Sequence, residues 1–151
     1  MRFHQLKEIY EHVMEINQAL NDLYSYFLEN TKDERTRLFI HYVIEKQTEN
    51  IQDIKRLISD ESVGVLSTWL DEDIEHEVLE SINSFKENSD VSVTLVLDMT
   101  TQLRVQLNDW LTIIKDLMPT DTVKTHLENL IESQSRKSQQ IMHAANRMVD
   151  M

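Results

Sequence analysis

The chain has 151 residues and a formal net charge of −12, with no cysteine, one glycine and one proline. The lack of cysteine excludes disulfides and thiolate metal sites, and the negative charge disfavours binding to nucleic acid or to an anionic membrane. Because tight hairpins need turn residues that are scarce here, the composition predicts an all-α protein. No apolar run has the roughly 20 residues of a membrane span. The N-terminal residues lack the apolar core of a signal peptide, so we expect a cytoplasmic location.

Apolar side chains recur every three or four residues in four segments, which predicts four long helices. These helices are expected at residues 5–29, about 34–58, about 91–118 and 122 to about 148. Asp33 stands where it can cap the second helix, and Pro119 marks the end of the third. Short turns follow the first and third helices, so each pair is expected to form an antiparallel hairpin.

The segment between the second and third helices is long enough to span a helical bundle from one end to the other. Leu66, Trp69 and Leu70 form a small apolar group in it, which can either seal the side of the bundle or form an interaction patch. We expect it to seal the bundle, because a crossover must pack somewhere. Residues 71–85 have the pattern of a short acidic helix. The predicted organisation is one domain, residues 1–151, with a hairpin at 5–58, a crossover at 59–92 and a second hairpin at 93–148.

The two hairpins are related by an internal repeat with an offset of 87 residues. Residues 15–58 align with residues 102–145 without a gap, and eight of the 44 positions are identical. The identical positions of the first hairpin are Leu20, Asn21, Asp22, Ile44, Glu45, Gln47, Gln52 and Ile54. This pattern indicates that one helical hairpin was duplicated.

In this layout the chain resembles the ferritin-like superfamily, most closely the rubrerythrin-type bundles. The resemblance implies a ferritin-like four-helix bundle built from two helical hairpins, with a long crossover that carries a short extra helix. It also implies where a dinuclear metal site would lie. Di-iron members carry a Glu-x-x-His motif on the second and fourth helices and a carboxylate on the first and third.

The defining ligands of such a site are missing from this chain. Two registers of the motif are possible on the second helix, either Ile44 with Gln47 or Glu45 with Thr48, repeated at 131 with 134 or 132 with 135. Neither register contains a histidine. The carboxylate positions of the first and third helices hold Asn17 and Arg104. We therefore predict a bundle with no catalytic residue, no metal ligand and no cofactor.

Polar residues on the apolar faces need a separate explanation, because a buried amide without a partner costs on the order of 1–3 kcal/mol. Gln47 and Gln134 stand among isoleucine and leucine, and they can either form a core network with Asn17 and Arg104 or touch water at the core margin. In the network hypothesis, Arg104 supplies positive charge facing Glu45 or Glu132. The histidines His12, His76, His126 and His143 share no spacing and are expected at the surface.

Three functions remain open at this point. The favoured hypothesis is a non-catalytic bundle that binds a protein partner or a second copy of itself, as a homodimer. The alternative is a divergent ferritin-like metal-binding protein or oxidoreductase whose ligands would be His41, Glu45, Glu128 and Glu132. A third hypothesis is a small-molecule carrier with a cavity near Tyr24, Gln47 and Gln134.

Overall fold

The computed structural model describes residues 2–60, 64, 67, 69–75, 82, 84–85 and 90–149, without the side chains of residues 2, 60, 70–75 and 149. Four long helices dominate this part of the chain: α1 (Leu6–Asn30), α2 (Glu34–Asp60), α3 (Val93–Asp116) and α4 (Asp121–Val149). Two short strands accompany them, β1 (Arg2–Gln5) and β2 (Trp69–Glu75). The predicted all-α four-helix bundle is confirmed.

The helices pack as two antiparallel hairpins that share one apolar core. α1 lies against α2, α3 lies against α4, and α2 also packs along α4. Aromatic side chains from both ends of the first hairpin, Tyr10, Phe27 and Phe39, are fully buried in this core. Each such burial contributes about 1.5–3 kcal/mol, so the stripes at helical spacing account for the bundle. None of the described helices is apolar enough over a sufficient length to cross a bilayer.

The helix starts follow the same offset as the sequence repeat. α3 begins at residue 93, 87 positions after the start of α1 at residue 6, and α4 begins at residue 121, 87 positions after the start of α2 at residue 34. The caps match as well. Asp33 Oδ2 accepts the Thr36 backbone N–H at 3.0 Å, which confirms the predicted cap, and Thr120 Oγ1 accepts the Val123 N–H at 3.3 Å.

A two-stranded antiparallel sheet is the feature that the composition did not predict. β1 pairs with β2, with Phe3 opposite Ile74 and Gln5 opposite Trp69. Because the strands come from distant segments, their pairing needs no tight hairpin turn, and the scarcity of glycine does not prevent it. The expectation of an acidic helix beginning at residue 71 is therefore wrong for residues 71–75.

The rest of the crossover is described only in part. Ile82 and Ser84 are helical, whereas residues 76–81 and 83 of the predicted acidic helix lie outside the described residues. The prediction that Trp69 seals the bundle is wrong, because 68% of its surface is exposed. Leu66 and the side chain of Leu70, the other members of that apolar group, lie outside the described part.

His12 is buried, contrary to the expectation of a surface histidine. Its ring centroid lies 4.8 Å from that of Phe3 in β1 and 5.6 Å from that of Trp110 in α3. Burial lowers the pKa of His12 to about 4, so the imidazole is neutral at physiological pH. The neutral ring lets β1 pack onto the bundle through Phe3, which is itself buried.

We expect His12 to make the folded state sensitive to acid. The unfolded chain binds a proton near pH 6.5, but the folded chain does so only near pH 4, so this stability is present above pH 6.5 and is lost as the pH falls towards 4. The loss should be about 1–3 kcal/mol. Urea unfolding between pH 4 and 7 should show a flatter pH dependence for His12→Phe than for the wild type.

The matched control is His143→Phe, because His143 lies exposed on α4. If His12→Phe and His143→Phe keep the same pH dependence as the wild type, the buried imidazole does not cause the acid sensitivity.

Candidate functional site: a polar centre in the bundle

Five polar side chains meet inside the bundle. They are Asn17 from α1, Gln47 and Asn50 from α2, Arg104 from α3 and Gln134 from α4, and all five are buried. Gln47 and Asn50 are three residues apart, which places both on one face of α2. We call this group the polar centre. It takes at least one side chain from each long helix and ties the two hairpins together.

Gln134 is the hub of the polar centre. Its Oε1 accepts hydrogen bonds from Arg104 Nη1, from Asn50 Nδ2 at 3.1 Å and from Asn17 Nδ2 at 3.4 Å. Its Nε2 donates to Asn50 Oδ1 at 2.8 Å. One amide therefore contacts side chains from the other three long helices. The core-network hypothesis is confirmed, and the alternative of two glutamines at the core margin is wrong.

Asn17 closes the network on the side of α1. Asn50 Nδ2 donates to Asn17 Oδ1 at 3.0 Å, and Asn17 Nδ2 donates to the backbone oxygen of Val13 at 2.8 Å. The Asn17 side chain is thus held from both ends. Its amide is oriented with the oxygen towards α2 and the nitrogen towards its own helix.

Arg104 brings a positive charge into this centre, and only 3% of its surface is exposed. Its Nη2 donates to Gln47 Oε1 and its Nη1 to Gln134 Oε1. The expectation that Arg104 faces Glu45 or Glu132 is wrong, because both carboxylates are exposed. No carboxylate of the described residues pairs with this guanidinium. Burial lowers the pKa of Arg104 to about 10, so it stays charged at neutral pH.

Tyr24 and Thr100 lie next to the polar centre and do not supply the missing negative charge. The Tyr24 hydroxyl and Thr100 Oγ1 share a hydrogen bond of 2.7 Å. Burial raises the pKa of Tyr24, and this effect outweighs the opposite influences of Thr100 and Arg104. The phenol is therefore neutral, and the charge of Arg104 is balanced only by the dipoles of amide groups.

Two donors of the polar centre are left without acceptors. Arg104 Nε and Gln47 Nε2 are buried and have no hydrogen-bond partner among the described residues. Leaving a buried donor unpaired costs about 1–3 kcal/mol, and more for a charged group. Buried polar groups are normally satisfied, so these two donors need an explanation.

The polar centre, together with Lys137, has the pattern of positions that a dinuclear site of a four-helix bundle uses, in a register that the sequence analysis missed. One inward residue on α1 and one on α3, with an i, i+3 pair on α2 and on α4, is the di-iron arrangement. Here these positions are Asn17, Arg104, Gln47 with Asn50, and Gln134 with Lys137. The sequence signal for this register is a glutamine on the apolar face of α2 and of α4 with a polar residue three positions later.

The residues present do not fit a dinuclear metal centre. Amides stand where the motif has glutamates, Asn50 and Lys137 stand where it has histidines, and Arg104 adds a like charge. Lys137 turns away to Glu49, with Nζ and Oε2 2.8 Å apart.

The alternative ligand set does not come together. His41, Glu45, Glu128 and Glu132 are all exposed. Glu128 Oε1 lies 3.7 Å from Lys115 Nζ, so this carboxylate forms an ion pair with a lysine. Within the part of the chain that the structure describes, no three histidine, aspartate or glutamate side chains are grouped as a metal site would require. A small-molecule carrier is less well supported, because the Tyr24 hydroxyl is bonded to Thr100 and both glutamine oxygens accept from Arg104.

We expect Gln134→Leu to destabilise the fold strongly. The substitution removes the acceptor of a buried guanidinium and the partner of Asn50, and breaking a buried charged contact costs roughly 3–5 kcal/mol. Chemical denaturation should show this loss. Gln139→Leu, on the exposed face of the same helix, should change stability by less than about 0.5 kcal/mol. Equal effects of the two substitutions would contradict the role given to the hub.

Comparisons with known proteins support the fold. The structure superposes on a crystal structure from Thermotoga maritima described as a ferritin-like diiron-carboxylate protein, with a TM-score of 0.65 and 11% sequence identity. The match covers 97% of this chain and 98% of the other. No protein-family model and no curated protein matches the sequence. The predicted resemblance is thus confirmed at the level of the fold, and this chain has the fold of a ferritin-like four-helix bundle.

Proposed function

We propose that this protein is a non-catalytic ferritin-like bundle that acts by binding a protein partner through its surface. The observation that carries the proposal is the contact of Arg104 with Gln47 and Gln134 at the centre of the bundle. Those positions would hold the carboxylates of a dinuclear enzyme. With the interior used for a structural network, the surface is left to provide the function.

Electrostatics argues against a divalent metal at the polar centre. A guanidinium about 4 Å from a divalent ion repels it by roughly 8 kcal/mol at an effective dielectric constant of 20. Neutral amide oxygens do not offset that repulsion as carboxylates would. The positive charge of Arg104 and the lack of a carboxylate among the five residues of the polar centre therefore both weaken the binding of a divalent metal.

Matching side-chain contacts support the proposal that the fold arose by duplication of a hairpin within one domain. Asn21 Nδ2 donates to Thr48 Oγ1 at 3.2 Å in the first hairpin. Asn108 Nδ2 donates to Ser135 Oγ at 3.3 Å in the second. Both asparagines and both hydroxyl groups are separated by the 87-residue offset. Keeping this pair while two of the three central pairs of positions differ is what divergence of a duplicated hairpin would produce.

The outer face of α3 is the surface that best suits a partner. Its exposed side chains include Val105 and Ile113, which are 52% and 61% exposed, together with Asp98, Asp109 and Asp116. None of the side chains classed as exposed on α3 is basic. Exposed apolar groups beside charges of one sign favour a partner with apolar and basic residues. The same charges, with a net charge of −12, disfavour a second copy at this face.

We expect the wild-type protein to contain no stoichiometric iron, manganese or zinc after incubation with each metal and removal of the excess. The positive control restores the motif with Asn17→Glu, Gln47→Glu, Asn50→His, Arg104→Glu, Gln134→Glu and Lys137→His in one variant. That variant should retain metal, because it presents four carboxylates and two imidazoles in the di-iron arrangement. Elemental analysis measures both proteins.

A second variant, His41→Ala with Glu132→Ala, tests the alternative ligands. If the wild type binds one or more metals per chain and this double variant loses them, the protein is a divergent metalloprotein. The non-catalytic proposal would then be abandoned.

We expect a synthetic amphipathic helix of lysine and leucine to bind the outer face of α3. Ile113→Ser should weaken its affinity by about tenfold, which corresponds to about 1.4 kcal/mol, and added salt should weaken binding further. Leu38→Ser is the control, since Leu38 is 59% exposed on α2 among side chains of both signs. Titration calorimetry measures the affinities.

Equal peptide affinities of Ile113→Ser and Leu38→Ser would contradict the assignment of this face. Analytical ultracentrifugation of the protein without peptide tests whether a second copy binds this face instead. A concentration-dependent dimer that Ile113→Ser disrupts would make a second copy the occupant of the α3 face.

A further inference from the structure

No negative charge of the described residues accompanies the positive charge at the polar centre. Arg104 is buried, it contacts two amide oxygens, and no carboxylate of the described residues pairs with it. Taking an unpaired charge out of water costs several kcal/mol even after the surroundings relax. Such a group is usually accompanied by an ion of opposite charge.

The unpaired donors belong to two groups that are in contact. Gln47 Oε1 accepts from Nη2 of Arg104, so the amide of Gln47 touches the guanidinium group that carries Nε. Gln47 Nε2, bonded to the same carbon as Oε1, is the second donor without an acceptor. A single acceptor within reach of both groups would serve both N–H groups.

We propose that the polar centre binds a small monovalent anion, of the size and charge of chloride, between Arg104 Nε and Gln47 Nε2. The anion would neutralise the guanidinium and accept from both free donors. A monovalent ion is specified because one positive charge is buried and the neighbouring phenol of Tyr24 hydrogen-bonds to Thr100 as a neutral group. A small ion is specified because the bundle core that contains the centre is filled by large apolar side chains, among them Leu103 and Leu107 of the same helix as Arg104.

The evidence for this site does not depend on the proposed partner, which would bind the outer face of α3. It is also the opposite of a ferritin-like metal centre, since its donors are N–H groups instead of carboxylate oxygens. A protein that binds the anion would still fail to bind divalent metals, and the two properties can be measured separately.

The first test is the dependence of thermal unfolding on the anion. The midpoint is measured in sodium chloride, sodium bromide and sodium gluconate at equal ionic strength. A ligand of the folded state at a tenfold excess over its Kd should raise the midpoint by roughly 3–6 °C. We expect this rise in chloride and bromide relative to gluconate. Equal midpoints in all three salts would overturn the proposal.

The variant for this test is Arg104→Gln, and Arg136→Gln is its control because Arg136 is exposed on α4. The halide-dependent rise should persist in Arg136→Gln and disappear in Arg104→Gln. Persistence of the rise in Arg104→Gln overturns the proposal. Gln47→Leu removes the second donor, keeps the charge of Arg104, and should reduce the halide-dependent rise. It replaces Arg104→Gln in this test if Arg104→Gln does not fold.

The second test locates the ion and needs only the wild type. Crystals grown in bromide are measured at the bromine absorption edge. An anomalous peak within hydrogen-bond distance of Arg104 Nε and Gln47 Nε2 is the expected result. Peaks only at surface arginines such as Arg56 and Arg136 would mean an adventitious ion only and would overturn the proposal.

Discussion

The buried charge of Arg104 is the constraint on which the centre of this bundle depends. A guanidinium in an apolar core must be surrounded by acceptors, because the protein cannot deprotonate it at neutral pH. Gln47 and Gln134 provide those acceptors from two other helices. Each glutamine can do so only if α2 and α4 lie at the right rotation and depth. One charge therefore fixes the relative positions of three helices more narrowly than apolar packing alone would.

The two halves of the molecule are equivalent at the periphery and at Gln47 and Gln134, but they differ at the other central positions. The Asn21–Thr48 and Asn108–Ser135 contacts are equivalent, yet Asn17 in one half corresponds to Arg104 in the other. A pseudo-twofold arrangement with arginine at both positions would place two like charges together in a medium of low dielectric constant. A polar centre that contains one arginine must therefore be asymmetric. A dinuclear centre has the opposite requirement, since each half supplies ligands to a symmetric pair of metals.

The sequence predicted the helices well because a three- or four-residue apolar period is a local signal. The long-range pairing of β1 with β2 leaves no such signal, and it was missed. The register that pairs Gln47 with Asn50 was missed for another reason. Glu45 and Gln47 are identical between the two repeats, and this identity favoured the other registers. Asn50 corresponds to Lys137, and positions that differ between the repeats give no such signal. The burial of His12 depends on Phe3 and Trp110, which lie in different elements and meet only in the folded chain.

The polar centre and the outer face of α3 are linked by the geometry of a helix. Arg104 points inward and Val105, the next residue, points outward, because successive residues on a helix are about 100° apart. The hydrogen bonds of Arg104 therefore fix the rotation of α3 about its axis. That rotation determines that Val105 and Ile113 face solvent while Leu103 and Leu107 stay in the core. Arg104 thus also contributes to the proposed interaction surface, because it orients the helix that carries that surface.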